Sequence, residues 1–255
     1  MISAQDKNLK SQPDDAWLDG PLGRILLARE EALVEQALEQ VFGFQLIQIG
    51  LWGEAQRFVQ HSKTLRSAVL SPSENPGATL IGDPAELPVA SDSVDAVILP
   101  HTLEKTAHPH QALREVQRVL VGEGHVIVLG FSPFSLWGLR HKAIPGARLA
   151  SNHPMLTERR LCDWLHLLGL EPVTSQKYFY TMPVDRASLL RKCEGLEQFG
   201  HRWWRFLNGA YMLVARKCLL RAATVGPNWH VRRRVTGGLA DTATRTADSV
   251  SRASE

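Results

Sequence analysis

The fold of this chain is decided by three consecutive pieces of sequence, SVDAVILP (93–100), PHQALREVQRVL (109–120) and HVIVLG (125–130). The first piece is apolar and stops at a proline, which is typical of a buried strand. In the second, Pro109 suits the first position of a helix, and apolar residues recur every three or four positions on one face. The third is almost wholly apolar, as in a strand covered on both sides. Strand, helix and strand in this order predict a βαβ unit in a parallel sheet.

Shorter elements precede this unit. FQLIQIG (44–50) is an apolar run that ends in a turn glycine, and SAVL (67–70) and TLI (79–81) are weaker strands. Upstream of them, the residues after Pro21 predict a helix that ends at a capping glycine, Gly43. Its apolar stripe consists of Ile25, Leu26, Arg29, Leu33, Ala37 and Val41.

The pattern continues downstream of the unit. Thr157 predicts the start of a helix through Leu168, with Gly169 as its stop, and strands are predicted at 171–180 and 210–215. The fold class is therefore α/β, a mostly parallel sheet with helices on both faces. We expect a disordered lead at 1–16, one α/β domain at 17–220 with a helical insertion at 181–208, and a basic, disordered tail at 221–255.

Composition restricts the class of protein. The 255 residues fit one large domain, and the net charge of +3 is too small to indicate nucleic-acid binding. No apolar run reaches the ~18 residues that a membrane-spanning helix needs, and the polar N-terminus has no signal-peptide core, so we expect a cytoplasmic protein. Cys162, Cys193 and Cys218 are too widely spaced for a structural zinc site, and we expect free thiols. The oligomeric state is left open.

Four segments in sequence order carry a family resemblance: GDPAELP (82–88), SVDAV (93–97), LREVQRVL (113–120) and GEGHVIV (122–128). Their order and spacing resemble the type 11 family of class I methyltransferases, which includes quinone-ring methylases and malonyl-carrier-protein methylases. The resemblance implies a Rossmann-like sheet of about seven strands with S-adenosylmethionine as cofactor over the carboxyl ends of the first three. It also implies transfer of a methyl group to a small-molecule or carrier-bound acceptor.

The resemblance assigns roles to residues on the adenine side of the cofactor. In the family, the residue at the position of Asp83 accepts a hydrogen bond from the adenine amino group, and a backbone amide at Pro84–Ala85 donates to the ring. Glu86 and Leu87 also match the family pattern. The alternative is that Asp83 only caps a turn before the proline.

The methionine side would be formed after the fourth strand, where Pro100 and His101 stand. His101 is the candidate catalytic base, because imidazole titrates near neutral pH. The alternative is a histidine that only hydrogen-bonds its own loop. The nearby His108 and His110 lack a third ligand, so no metal site is predicted.

The first motif of the family, approximately LDxGxGxG, is broken in this chain, which has LIQIGLWGE at 46–54. Gln48 replaces the acid that would hold the methionine ammonium group, while Gly50 and Gly53 are the glycines that remain to line the cofactor. Trp52 replaces the second glycine, so its side chain must either fill the cofactor space or rotate away and stack elsewhere.

The acid that would bind the ribose is also missing, because Val69 stands at its position, and Ser71 and Glu74 are the possible substitutes. The segment between the second and third strands leaves little room for a helix. Two hypotheses follow: a S-adenosylmethionine-dependent methyltransferase with a changed pocket, or a non-catalytic relative that keeps the fold for binding.

Overall fold

The computed structural model describes residues 17–135, 155–179 and 209–218. All of them lie within one compact unit, Met1–Leu220, and the second unit, Arg221–Glu255, lies outside the described residues. The predicted lead at 1–16, the helical insertion at 181–208 and the tail at 221–255 also lie outside them. These three assignments stay predictions.

The described residues contain four α-helices and seven strands. The helices are α1 (Pro21–Leu38), α2 (Thr102–Lys105), α3 (Pro109–Val119) and α4 (Glu158–Leu167). The strands are β1 (Gln45–Ile49), β2 (Arg66–Ser71), β3 (Leu80–Ile81), β4 (Val94–Pro100), β5 (Leu120–Phe131), β6 (Leu170–Tyr178) and β7 (Ala210–Lys217).

The strands form one sheet in the order β3-β2-β1-β4-β5-β7-β6. Strands β1 to β5 run parallel, whereas β7 is antiparallel to both of its neighbours. The predicted βαβ unit is confirmed as β4–α3–β5, two adjacent parallel strands joined by a helix. Strand order reverses between β1 and β4, and in open α/β sheets such a switch point marks the place where ligands bind.

Helices cover both faces of the sheet, as the apolar strands required. Helix α1 packs against one face, where its leucines meet Leu46, Ile98 and Ile127. Helices α3 and α4 pack against the other face, with Leu113 and Leu161 in the same apolar cluster as Val97. Thr157 caps α4 by accepting a hydrogen bond from the Arg160 amide, and Gly169 follows it with φ 73°, as predicted.

The predicted end of α1 was wrong, and its predicted stripe was right at Leu26 and Leu33 but wrong at Ile25 and Arg29. The helix stops at Leu38, and Gly43 lies against the carboxylate of Asp95, which accepts hydrogen bonds from the next two backbone amides. A β-carbon on Gly43 would lie 2.2 Å from Asp95 Cγ, so close approach explains this glycine. Ile25 is 39% exposed, and the buried stripe includes Glu30 instead of Arg29.

Two crossovers are shorter than usual for such a sheet. No α-helix joins β1 to β2: residues 53–58 form bends and turns, followed by a single 3₁₀ turn, Val59–His61. Residues 72–79, between β2 and β3, contain no helix, which confirms the prediction of too little room. Because α1 packs against the same face as Phe58 and Val59, it supplies apolar contacts there that a crossover helix would otherwise make.

Candidate functional site

The turn after β1 begins the candidate site and keeps both glycines in the left-handed region. Gly50 has φ 91° and Gly53 has φ 67°, conformations that side chains with a β-carbon adopt at a cost. A β-carbon on Gly50 would lie 2.6 Å from Thr102 Oγ1, at the start of α2. The turn after β1 and the end of β4 are therefore in direct contact.

Gln48 lies in β1, fully buried, immediately before this turn. Its Nε2 donates a hydrogen bond of 3.0 Å to the Gly50 carbonyl. Its Oε1 is buried and has no hydrogen-bond partner among the described residues. A buried acceptor without a donor is costly, and the role of Gln48 in holding the methionine ammonium group stays a prediction.

Val69 and Ser71 lie in the last part of β2, where the resemblance places the residue that binds the ribose. Val69 is buried in the core of the α1 face, and Ser71, two residues later, is buried at the end of β2. The Ser73 amide lies 3.4 Å from Ser71 Oγ. A ribose-binding role for Ser71 or Glu74 stays a prediction.

The Asp83 turn forms the other side of the candidate site, after β3. The side chain is exposed, and its Oδ1 accepts a hydrogen bond of 2.8 Å from the Ala85 amide. Pro84 and Ala85 are buried beneath it, while Glu86 is exposed and donates its amide to the Asp83 carbonyl. The turn-capping contact therefore exists, and the adenine-binding role of Asp83 stays a prediction.

Helix α3 fixes the far end of this turn. The Leu87 amide donates a hydrogen bond of 3.0 Å to Glu115 Oε2, and Leu87 packs among the residues of the α3 face. Arg118 pairs with the same carboxylate at 2.7 Å and donates to the Leu87 carbonyl. This pair lowers the pKa of Glu115 below its ordinary value, chiefly through the hydrogen bond from Arg118.

Trp52 is stacked among other rings inside the protein, and whether it leaves the cofactor space free stays open. It is 0% exposed, its ring centroid lies 4.2 Å from that of His101, and Phe131 and Trp17 meet it at steeper angles. On the remaining side, the Lys105 Nζ lies 4.7 Å from the ring centroid, within cation–π range. The indole thus packs under α1, against the ends of β4 and β5.

His101 stands between two buried glutamates. Its Nε2 lies 2.9 Å from Glu30 Oε1, and its Nδ1 lies 3.1 Å from Glu104 Oε2. The backbone of His101 has φ 52°, and its amide donates to the Leu129 carbonyl, which fixes the residue at the end of β4 beside Pro100. Glu104 Oε1 also accepts a hydrogen bond of 2.5 Å from the Phe131 amide.

Burial and charge act in opposite directions on this histidine. Burial is the largest single influence and lowers the pKa of His101, but the two carboxylates together outweigh it and raise that pKa to about 9. Both ring nitrogens then carry protons at neutral pH and donate to carboxylates. The role of catalytic base stays a prediction, and the geometry favours an imidazolium that holds Glu30 and Glu104 together.

Sequence reasoning missed Glu30 and Tyr178. Glu30 Oε2 accepts a hydrogen bond of 2.7 Å from Trp52 Nε1, and Glu30 Oε1 accepts one of 2.9 Å from the Tyr178 hydroxyl. An acid among leucines on the buried face of α1 was the available signal, because such a residue is almost never fully buried unless it is paired. The predicted apolar stripe contained Arg29 and not Glu30, so the buried acid was not recognised.

Comparison with known proteins agrees with this architecture. The sequence profile of the type 11 methyltransferase domain matches residues 34–128. The uncharacterized protein YafS of Escherichia coli K12 is 33% identical over 174 residues, which cover 68% of this chain and 71% of YafS. The chain belongs to the class I methyltransferases of type 11. The cofactor of this family is S-adenosylmethionine.

Solved structures share the fold. A S-adenosylmethionine-dependent methyltransferase from Thermotoga maritima superposes with a TM-score of 0.57 at 18% identity, over 79% of this chain and 92% of that one. The cyclase SpnF superposes with a TM-score of 0.51 at 18% identity, over 75% of this chain and 80% of its own. At these identities the likeness shows the Rossmann-like fold of this family member.

Phe134, just after β5, is 77% exposed, and residues 136–154 lie outside the described residues. His108 precedes α3, and His110 stacks edge-on against Trp164. Within the described ranges, no group of three His, Cys, Asp or Glu side chains could hold a metal ion, and no helix is long and apolar enough to cross a membrane.

Proposed function

We propose that this chain binds S-adenosylmethionine across the carboxyl ends of β1, β2 and β3 and transfers its methyl group to a small-molecule or carrier-bound acceptor. The single observation that carries the proposal is the buried, partnerless Oε1 of Gln48. In the family an acid at this position holds the methionine ammonium, and an amide oxygen accepts a hydrogen bond from the same group. The residue present therefore fits the cofactor.

The turn glycines and the Asp83 turn support the same proposal. Gly50 and Gly53 have positive φ values, and the missing side chain of Gly50 lets the turn pack against Thr102 at the end of β4, where the proposal places the cofactor. The exposed carboxylate of Asp83, above Pro84 and Ala85, can accept a hydrogen bond from an adenine amino group. Glu86 and Leu87 complete the turn. When bound, the cofactor supplies an electrophilic methyl group, and the chain orients that group toward the acceptor.

The residues around His101 enclose the end of β4 in this proposal. Trp52, Phe131 and Glu104 surround His101 and exclude water from the end of β4. Pro100 contributes backbone at the methionine side. An acceptor proton would not pass to His101 at neutral pH, because the imidazole already holds both of its protons. We therefore assign His101 to holding the site in place.

A second candidate function is a non-catalytic methyltransferase-like binding protein with an altered pocket. The packing of Trp52 against His101 and Phe131 favours it, since these side chains fill the ends of β4 and β5 themselves. The fold is compatible with other uses, as the superposition with a protein described as a cyclase illustrates.

Isothermal titration calorimetry with S-adenosylmethionine and with its demethylated product tests the proposal. We expect both ligands to bind, and Gln48→Leu to weaken binding about tenfold, which corresponds to one lost hydrogen bond to a charged group. Gln45→Leu is the matched control, because Gln45 is an exposed glutamine in the same strand. If neither ligand gives heat at millimolar concentration, cofactor binding is refuted and the non-catalytic binding function becomes the better explanation of the fold.

A further inference from the structure

The carboxylate of Glu30 joins parts of the chain that are far apart in sequence. It is 0% exposed, and its three hydrogen-bond donors are separated from it by 22, 71 and 148 residues. Trp52 comes from the turn after β1, His101 from the end of β4, and Tyr178 from the end of β6. Two strands, β5 and β7, lie between β4 and β6 in the sheet. One side chain on α1 therefore ties together points across most of the sheet's width.

We propose that Glu30 is the positioning residue of the cofactor site: it fixes the Gly50–Gly53 turn and the end of β4 in the arrangement that binds S-adenosylmethionine. This inference rests on the proposed function. Trp52 lies inside the turn, between Gly50 and Gly53, so its bond of 2.7 Å to Glu30 restrains both glycines. His101 directly precedes α2, and the Thr102 hydroxyl of α2 donates a hydrogen bond to the Ile49 carbonyl, immediately before Gly50, which holds the same turn.

The role requires a carboxylate and not merely a side chain of this size. An indole N–H can only donate, and His101 and Tyr178 supply two further donors, so the residue at position 30 must accept on both of its terminal atoms. A glutamine has the same shape but presents one acceptor oxygen and one NH₂ group. With the amide oxygen toward the His101 imidazolium and Tyr178, the NH₂ group faces the Trp52 indole, which can only donate. The reverse orientation requires His101 to lose its Nε2 proton and the Tyr178 hydroxyl to accept.

This mismatch provides a test that separates positioning from general stabilisation. In Glu30→Gln, the amide oxygen can serve His101 and Tyr178 while the NH₂ group opposes the Trp52 indole. Trp52→Phe removes that opposing N–H and keeps an aromatic ring against His101. If positioning depends on these donors, the double variant Glu30→Gln/Trp52→Phe binds the cofactor more tightly than Glu30→Gln alone. If the two substitutions only weakened the fold, their effects would add, and the double variant would bind the cofactor less tightly than Glu30→Gln.

The experiment measures the Kd for S-adenosylmethionine by calorimetry in the full chain. We expect Glu30→Gln to weaken binding about tenfold or more, and the double variant to recover to within about threefold of Trp52→Phe. Glu39→Gln, an exposed glutamate directly after the same helix, is the control and should match the wild type. The indole ¹H–¹⁵N signal of Trp52, identified by its loss in Trp52→Phe, should move upfield in Glu30→Gln as its charge-assisted bond is lost.

Tyr178→Phe is the alternative variant if Glu30→Gln does not fold. It removes the hydroxyl that donates to Glu30 and keeps the charges of Glu30 and His101. We expect about threefold weaker binding and a shifted Trp52 indole signal. If Tyr178→Phe changes neither the affinity nor that signal, or if a folded Glu30→Gln binds like the wild type, the positioning role is overturned and the proposed function stands. If the wild type binds no cofactor, the proposed function fails first, and the positioning role fails with it.

Discussion

The two sides of the candidate cofactor site are built in opposite ways. The Asp83 turn follows β3, keeps the family sequence, and is an exposed turn held by backbone hydrogen bonds and by Glu115 of α3. The Gly50–Gly53 turn follows β1, has lost the family motif, and rests on Trp52, Glu30 and His101, which are all fully buried. Where the motif is kept, the side chains are available to a ligand. Where it is lost, side chains from other elements have become part of the core.

This contrast predicts different responses to mutation. Changes around Glu30 should first lower the free energy of unfolding, because they break buried charged contacts. Changes in the Asp83 turn should first lower cofactor affinity, because little of the fold depends on that exposed side chain.

Glu30→Ala should destabilise the fold by about 3–5 kcal/mol, since it leaves the buried imidazolium of His101 with one carboxylate and removes the acceptor of Trp52 and Tyr178. Urea unfolding at pH 7, followed by circular dichroism, measures the change. Glu39→Ala is the control, with an expected change within about 0.5 kcal/mol, as for other exposed positions. A loss below about 1 kcal/mol for Glu30→Ala would mean that the network contributes little to folding.

The pH dependence of stability should show the same network. In the folded chain His101 keeps its proton until its pKa of about 9, whereas in the unfolded chain it loses the proton near 6.5. Its contribution is therefore complete below pH 6.5 and is lost as the pH rises to about 9. The upper limit of this loss is about 3 kcal/mol.

Urea unfolding between pH 6 and pH 9.5 measures that loss, and the imidazole chemical shifts of His101 give its pKa directly. His125 provides an internal comparison, because burial, aided by the charge of Arg216, lowers its pKa below the ordinary value. Its contribution is lost as the pH falls, in the opposite direction. An imidazole of His101 that titrates near 6.5 would remove the imidazolium from this account.

The central part of the fold could be predicted because local pattern decides it. Residues 93–130 alternate a buried strand, an amphipathic helix and a second buried strand, and tertiary contacts do not change that order. The caps of α4 at Thr157 and Gly169 were equally local. The family resemblance then supplied the number of strands and the expected position of the cofactor, which periodicity alone does not give.

The methionine side could not be predicted, because its contacts join distant residues. An acid in an amphipathic helix is normally placed toward solvent, so the partners of Glu30, 22 to 148 residues away, give no local signal. The broken motif left two positions open for Trp52, and only the packing of α1 selects between them. The missing helix after Gly53 is also a tertiary outcome, since α1 packs against that face of the sheet.

Trp52→Phe should have an intermediate effect. Phenylalanine keeps a ring against His101 and Phe131 but loses the bond to Glu30, which as a hydrogen bond to a charged group contributes about 2 kcal/mol. Trp164→Phe is the control, because Trp164 is a partly buried tryptophan whose ring packs against the α3 and α4 face and lies beside His110 and Arg160. Equal losses of unfolding free energy in the two variants would show that ring size matters and the hydrogen bond does not.

Asp83→Ala should have the smallest effect on folding and a clear effect on binding. Stability should fall by about 0.5–1 kcal/mol, the value of the single hydrogen bond to Ala85, while the Kd for S-adenosylmethionine should rise about tenfold. Asp92→Ala tests whether any lost surface charge does the same, since Asp92 is exposed and pairs with Lys217. If the two variants bind alike, Asp83 is only a turn cap. If only Asp83→Ala loses affinity, and its stability is nearly that of the wild type, then the exposed Asp83 turn binds the cofactor. The buried network around Glu30 then serves to stabilise the fold on the other side of the site.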